Sequence, residues 1–225
     1  MSLYLERLTY YQPEMTKALW ETGYMLTIST LAAMLLGLPL GTYLFLTGKQ
    51  GVAANRFLSL IFNSYVNIVR SFPFLLFVIA LIPLTRFLIG SSFGTYAATF
   101  PLSLVAIAIY ARLVEQVLLD VPSDAIELAH SLGATNKQLI FDFLYIEARS
   151  GLVLSLTSLM ISMVSYSTVM GVIGGGGIGD FAIRYGYQRY EYDMMYTTII
   201  IMITMVIVIQ LLGSKLSQKI DKRKK

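Results

Sequence analysis

The chain has no cysteine, which removes disulfides and thiolate chemistry from consideration. It has a single histidine, His130, so motifs that bind a metal through two histidines are excluded. Charge is scarce as well. Asp, Glu, Lys and Arg make up 13% of the 225 residues, against about 25% in an ordinary soluble protein. No lysine occurs between Lys137 and Lys215, and no GxxxxGK[ST] loop is present, so the usual P-loop route to ATP hydrolysis is closed to this chain. No pair of carboxylates marks a hydrolytic pocket, and an acyl-transfer triad would depend on His130 in a polar loop.

What remains is apolar. Hydrophobic residues make up 56% of the chain, and five stretches read as membrane spans. The first runs from Met25 to Leu46 without a charge, long enough for the roughly 20 residues a bilayer requires. The second occupies Ser71 to Thr85 and is prolonged backwards by the apolar face of Phe57, Leu60, Ile61, Tyr65 and Ile68. The others run from Phe93 to Ala111, from Gly151 to about Ile173, and from Met194 to Leu212. A soluble bundle would need more charge to clothe its surface. The runs are continuous and not alternating, which predicts an all-α polytopic protein and excludes a barrel. One membrane domain over residues 1–225 is expected. The first run lacks the features of a cleaved signal and is expected to be a retained helix.

Six of the 17 basic residues fall at the C-terminus: Lys215, Lys219, Lys222, Arg223, Lys224 and Lys225. Such a block after an apolar run marks a cytoplasmic flank, as do Lys49 and Arg56 after the first span. Five spans then place the N-terminus outside and the C-terminus in the cytoplasm. Arg184 and Arg189 in an outer loop run against this rule, beside Asp180, Glu191 and Asp193.

Two connections carry detail. DVPSDAIELAHSLGATNKQLIFDFLYIEARSG separates the third and fourth spans on the cytoplasmic side. Asp124 with Glu127, and Thr135 with Gln138, have capping-box spacing, and Gly133 stands between them as a stop signal. The expected unit is a short helix from Ala125 to Leu132, a glycine turn and a second short helix with an apolar stripe of Leu139, Ile140, Phe143 and Leu144. It reads either as a projecting knob or as a pair of interfacial helices. The second connection, MGVIGGGGIGDFAIRYGYQRYEYD, has glycine at six of the nine positions from Gly171 to Gly179. It should end or distort the fourth span and allow close helix contact. Gly177, Gly179 and Ala182 match GxGxxA, but no strand precedes them, so a dinucleotide site is rejected.

Arg70, in YVNIVRSFPF, is the intramembrane candidate, with Asn63 and Asn67 on adjacent turns. A cation at that depth must face protein or water, or snorkel to an interface. Arg112 and Glu115 read as a satisfied pair.

The stretch IELAHSLGATNKQLIFDFLYIEA resembles the EAA signature of permeases from binding-protein-dependent ABC importers. Glu127 and Ala129 match its outer positions and Gly133 its glycine, while Leu128 replaces the middle alanine and Ile146 the usual proline. NIVRSFPF, IPLTRF and GVIGGGGIGDFAIRYGYQRY make the chain similar to the methionine importer permeases. That resemblance implies a bacterial inner-membrane subunit that is not itself an enzyme and holds no cofactor or metal. It implies two permease copies, two ATPase subunits that carry ATP and Mg, and an extracytoplasmic methionine-binding lipoprotein. It further implies coupling to the ATPase through Glu127, Ala129 and Gly133 within a loop over residues 123–146. Met163, Tyr166 and Met170 share one helical face and are candidates for the translocation path or for packing. Arg70 and Gly174, Gly175, Gly176 and Gly177 are candidates for a structural or gating role. A permease for another hydrophobic amino acid and a non-transporting membrane scaffold are the competing readings; a proton- or sodium-coupled carrier would be expected to bury acids in its spans.

Overall fold

The computed structural model describes residues 2–48 and 55–221. Lys49 and the tail cations Lys222, Arg223, Lys224 and Lys225 lie outside the described residues, as does the side chain of Arg56.

The chain is helical from end to end. Helix α1 (Ser2–Ala32) continues through a π turn, Ala33–Gly37, into α2 (Leu38–Thr47). After it come α3 (Arg56–Ser71), α4 (Phe74–Ile89) and α5 (Thr95–Leu119). A short α6 (Ser123–Ser131) and a single turn α7 (Asn136–Gln138) lead through a π segment, Leu139–Leu144, into α8 (Tyr145–Val172). Then α9 (Gly177–Phe181), a π segment Ala182–Tyr187 and α10 (Tyr192–Ile220) complete the chain.

Four helical stretches are long and apolar enough to cross a membrane: Tyr4–Thr47, Thr95–Leu119, Asn136–Val172 and Tyr192–Ile220. The fifth expected span is a broken one. Phe57–Ser71 and Phe74–Ile89 meet at a bend of 116°. The break follows from Pro73, which holds the preceding Phe72 in an extended conformation (ψ 131°) and cannot donate to the ladder of α3.

Helix α5 lies at the centre, against α1, α2, α3, α4 and α8. Small residues let the backbones approach. Gly37 and Gly41 present one face of the first helix to α5; a Cβ on Gly37 would stand 3.0 Å from the Ile107 carbonyl, and one on Gly41 would overlap the Ala111 carbonyl. Around these contacts Ala106, Ala108, Val114, Leu118, Leu159 and Met163 form the main core. The outward side of α10 is bare: Ile200, Ile203, Ile207, Leu211 and Leu212 are all exposed. In water that face would be an aggregation surface, whereas a bilayer covers it without cost.

Hydrogen bonds sort the connections into two ends. The Thr42 and Tyr145 hydroxyls are 2.7 Å apart, and those of Ser150 and Ser217 are 2.9 Å apart, so the ends of α2 and α10 lie beside the start of α8. At the opposite end Arg7 pairs with Asp193 at 3.3 Å, and the Gly94 amide donates to the Gly174 carbonyl at 2.9 Å. Exposed Tyr10, Trp20, Tyr96, Tyr187 and Tyr190 ring this second end, as aromatics do at a membrane interface.

Candidate functional site

At the first end, α6 and α7 form the helical hairpin expected from the sequence, with two differences. The Asp124–Glu127 capping box does not form. Helix α6 begins at Ser123 with Pro122 before it, which puts Asp124 inside the first turn, where its carboxylate meets the positive end of the helix. The helix closes instead by its C-terminus. The Gly133 amide donates to the His130 carbonyl and the Ala134 amide to the Ala129 carbonyl, each at 3.0 Å, with Gly133 at φ 69°. This is a Schellman motif, and it requires the left-handed conformation that glycine adopts freely. The Thr135–Gln138 capping box is present: the Thr135 amide donates to Gln138 Oε1 at 2.9 Å, and the Gln138 amide to Thr135 Oγ1 at 3.4 Å.

The second short helix is the other surprise. It does not end but runs on as one helix, Asn136–Val172, into the fourth span. Ile146 permits this, since it keeps the amide that a proline at that position would lack.

The three coupling candidates have different surroundings. Ala129 is 1% exposed and sits in the core with Leu139 and Leu144, so it fastens α6 to the helix behind it. Glu127 and Gly133 face outward. The hairpin also exposes Leu128, Leu132 and Phe141, Leu132 to 69%. The i, i+4 spacing of Leu128 and Leu132 was the available signal for them. His130 is an exposed residue.

At the second end the glycine run closes the fourth span, as expected. Helix α8 stops at Val172, and Gly174, Gly176 and Gly177 all have positive φ. The chain then turns back so tightly that a Cβ on Gly171 would overlap the Asp180 amide nitrogen. Helix α9 begins against α1. Its first amide, on Gly177, donates to Glu21 Oε2 at 2.8 Å, and the Ile178 amide donates to Thr22 Oγ1 at 2.8 Å. Two side chains distant in sequence thus cap the helix, one of them an anion at its positive end. Glu21 and Thr22 had no local sequence signal, because the helix they cap lies more than 150 positions away.

Arg184 and Arg189, at this second end, each have an anionic or aromatic partner. Arg184 donates to Asp180 Oδ2 at 2.6 Å, a bond that holds its guanidinium above the ordinary value. Arg189 lies 4.7 Å over the Tyr185 ring and donates to the Tyr11 hydroxyl, which raises its value in the same direction. These contacts account for basic residues at the end away from the hairpin.

Of the path candidates, Met163 and Met170 are buried in packed clusters, Met163 completely. Tyr166 is half-buried with its ring 4.5 Å from that of Phe74. Asn63 and Asn67 serve Arg112, which donates to them at 3.3 and 2.7 Å and pairs with Glu115. Arg70 forms no hydrogen bond or ion pair among the described residues. No cluster of three or more His, Cys, Asp or Glu side chains that could hold a metal occurs among the described residues.

Residues 33–225 match the model of the binding-protein-dependent transport system inner membrane component family. A Vibrio cholerae permease protein assigned to D-methionine transport is 42% identical over 206 residues, 92% of either chain. The methionine import system permease protein of Bacillus subtilis is 37% identical over 210 residues, 93% of this chain and 95% of its own. A chain of the MetNI methionine ABC transporter, solved in inward facing conformations, superposes with a TM-score of 0.91 at 34% identity, covering 94% of this chain and 98% of its own. A chain of an amino acid ABC transporter solved with histidines shares the fold at 23% identity and a TM-score of 0.70. Matched by its family model over most of its length and by relatives along nearly all of it, this chain belongs to the inner membrane components of binding-protein-dependent transport systems.

Proposed function

We propose that this chain is the permease subunit of an ATP-driven methionine importer. Two copies form the path, two ATPase subunits supply ATP and Mg chemistry, and an extracytoplasmic methionine-binding protein delivers substrate. The carrying observation is the full-length likeness to permeases named for methionine import, with the TM-score of 0.91 to a methionine transporter chain.

The hairpin over residues 123–146 gives the mechanism a physical form. Leu128 and Leu132 offer an apolar contact, and Glu127 a charge, to an ATPase surface. Ala129 locks α6 to a helix that continues unbroken to Val172. Movement of the ATPase pair is therefore passed along one rigid rod and not through a loop. At the far end of that rod the glycine turn is held by Glu21 and Thr22 on α1, so tilting α8 loads the contact between α1 and α9. Alternation between inward and outward openings then needs two packings of similar energy.

The hairpin end is cytoplasmic in this reading, with the N-terminus outside. Single cysteines at Gln12 and Gln218, both exposed, should label from opposite sides of the membrane. Labelling from one side would overturn the orientation. Function is tested by uptake of labelled methionine into proteoliposomes holding the whole complex, with ATP on the ATPase side and with or without binding protein. Failure with methionine but success with another amino acid moves the substrate. Purification without an ATPase partner favours a scaffold.

A further inference from the structure

Arg70 is an exposed residue at the end of α3, and the coupling, packing and capping contacts among the described residues leave it unused. It lies beside the break between α3 and α4, and it lines a cavity of about 300 Å³ together with Phe72, Phe74, Val105, Ser162 and Tyr166. That volume is at the lower end of the range for small-molecule sites. The cavity is at mid-depth: Val105 is about 15 Å along α5 from Thr95, and Ser162 about 15 Å along α8 from Val172, at 1.5 Å per residue. A hydrocarbon layer of about 30 Å puts both near its middle.

No acid lines this cavity. The neighbouring pairs are closed: Arg112 has taken Glu115, Asn63 and Asn67. Arg70 and the Tyr166 hydroxyl have no partner among the described residues, while the Ser162 hydroxyl donates to the Ser158 carbonyl at 3.0 Å and can still accept. A guanidinium at this depth without a counter-ion is expensive, so its surroundings call for an anion that comes and goes. The rest of the wall is aromatic and apolar. Phe74 and Tyr166 meet at 4.5 Å and tilt by 48°, and Phe72 lies across the break.

We propose that this cavity is a transit site for an amino acid with an apolar side chain, in which Arg70 holds the α-carboxylate and the rings of Phe72, Phe74 and Tyr166 receive the side chain. The proposal rests on the importer reading and names the substrate contact within it. The guanidinium gives a planar fork that matches a carboxylate with two parallel bonds. The Tyr166 and Ser162 oxygens accept from the ammonium, and the ring faces attract it further. With no acid to fix the ammonium, the site binds weakly, as a site that must release its cargo should. A broken helix at mid-depth is also where membrane carriers place such contacts. Met163 and Met170, being buried, line none of it.

Two measurements test the site. In proteoliposomes with the whole complex, Arg70→Gln should keep assembly and binding-protein-stimulated ATP hydrolysis, while methionine delivered per ATP falls about tenfold. Arg70→Lys should recover part of that loss, because it restores the charge but not the fork. A simple folding defect would instead lower ATP turnover and transport together. The second measurement leaves Arg70 intact. In the solubilised complex without binding protein, Ser162→Cys should react with a small methanethiosulfonate reagent, and L-methionine should slow the reaction. Methioninol, which has the same amine and side chain but no carboxylate, should not. Unchanged methionine per ATP in Arg70→Gln, or equal protection by the two compounds, overturns the site while leaving the importer intact. A wild-type complex that moves no methionine overturns the importer reading itself.

Discussion

Gly133 and the run from Gly171 to Gly179 both interrupt helices with positive φ, yet their surroundings are opposite. A Cβ on Gly133 would find no atom within 4 Å among the described residues. A Cβ on Gly176 would stand 2.6 Å from Glu21 Oε2, and one on Gly177 2.8 Å from Thr22 Oγ1. Glycine at the hairpin is therefore required by backbone conformation alone. In the run it is required by space as well, because helices of different parts of the chain meet there. An open turn can afterwards be covered by a partner, whereas a filled one is part of the permease's own packing.

The sharpest way to break this comparison is Gly171→Val. Its side chain would have to displace the backbone of α9, with an expected loss of about 3 kcal/mol or more. The melting temperature of the purified complex and the yield of folded protein report it. An unchanged melting temperature would mean that the run is not close-packed. Next comes Glu21→Ala, which leaves the Gly177 amide without its acceptor at an expected cost of about 1–3 kcal/mol. Glu21→Gln keeps an acceptor oxygen and should lose less. If both variants melt alike, a neutral acceptor contributes nothing at the start of α9 and the charge accounts for the whole loss. Last comes the hairpin, where the effect on stability is no larger than at Glu21 and the effect on function is the one to read. Gly133→Val should strain the turn by about 1–3 kcal/mol, while Gly133→Asn, which tolerates the left-handed region and meets open space, should be mild. Co-purification of the ATPase and ATP turnover should fall in the valine variant, and less so in Glu127→Ala. Equal loss in the valine and asparagine variants would show that the turn's surface, and not its conformation, is what matters.

The hairpin was legible in the sequence because its signals are local. Gly133 stops α6 and Thr135 caps the next turn through atoms no more than five residues away. The capping box at Asp124 misled for a local reason too: Pro122 and Ser123 start the helix earlier and leave that side chain within it. The glycine run was legible as an interruption but not as a joint, since Glu21 and Thr22 reach it only through the fold. Met163 and Tyr166 share a helical face in the sequence, yet one is buried in the core and the other borders a cavity. Periodicity gives the face of a helix and not the neighbour that covers part of it.

By itself the sequence determined the class of solvent and the outline of the chain. Scarce charge and long apolar runs have no stable arrangement in water, and backbone groups in lipid must be satisfied within helices. It also determined where helices stop, because proline and glycine act on their own backbone. Tertiary structure alone decided how sharply the second span breaks, that the hairpin's second arm is the start of α8, and which polar groups find partners. The Arg112–Glu115 pair, three residues apart on one helix, was legible in the sequence, but packing alone gave Arg112 two asparagines of α3 and Arg70 a cavity. Such pairings depend on distances between helices, and no local pattern of residues encodes a distance to a helix far along the chain.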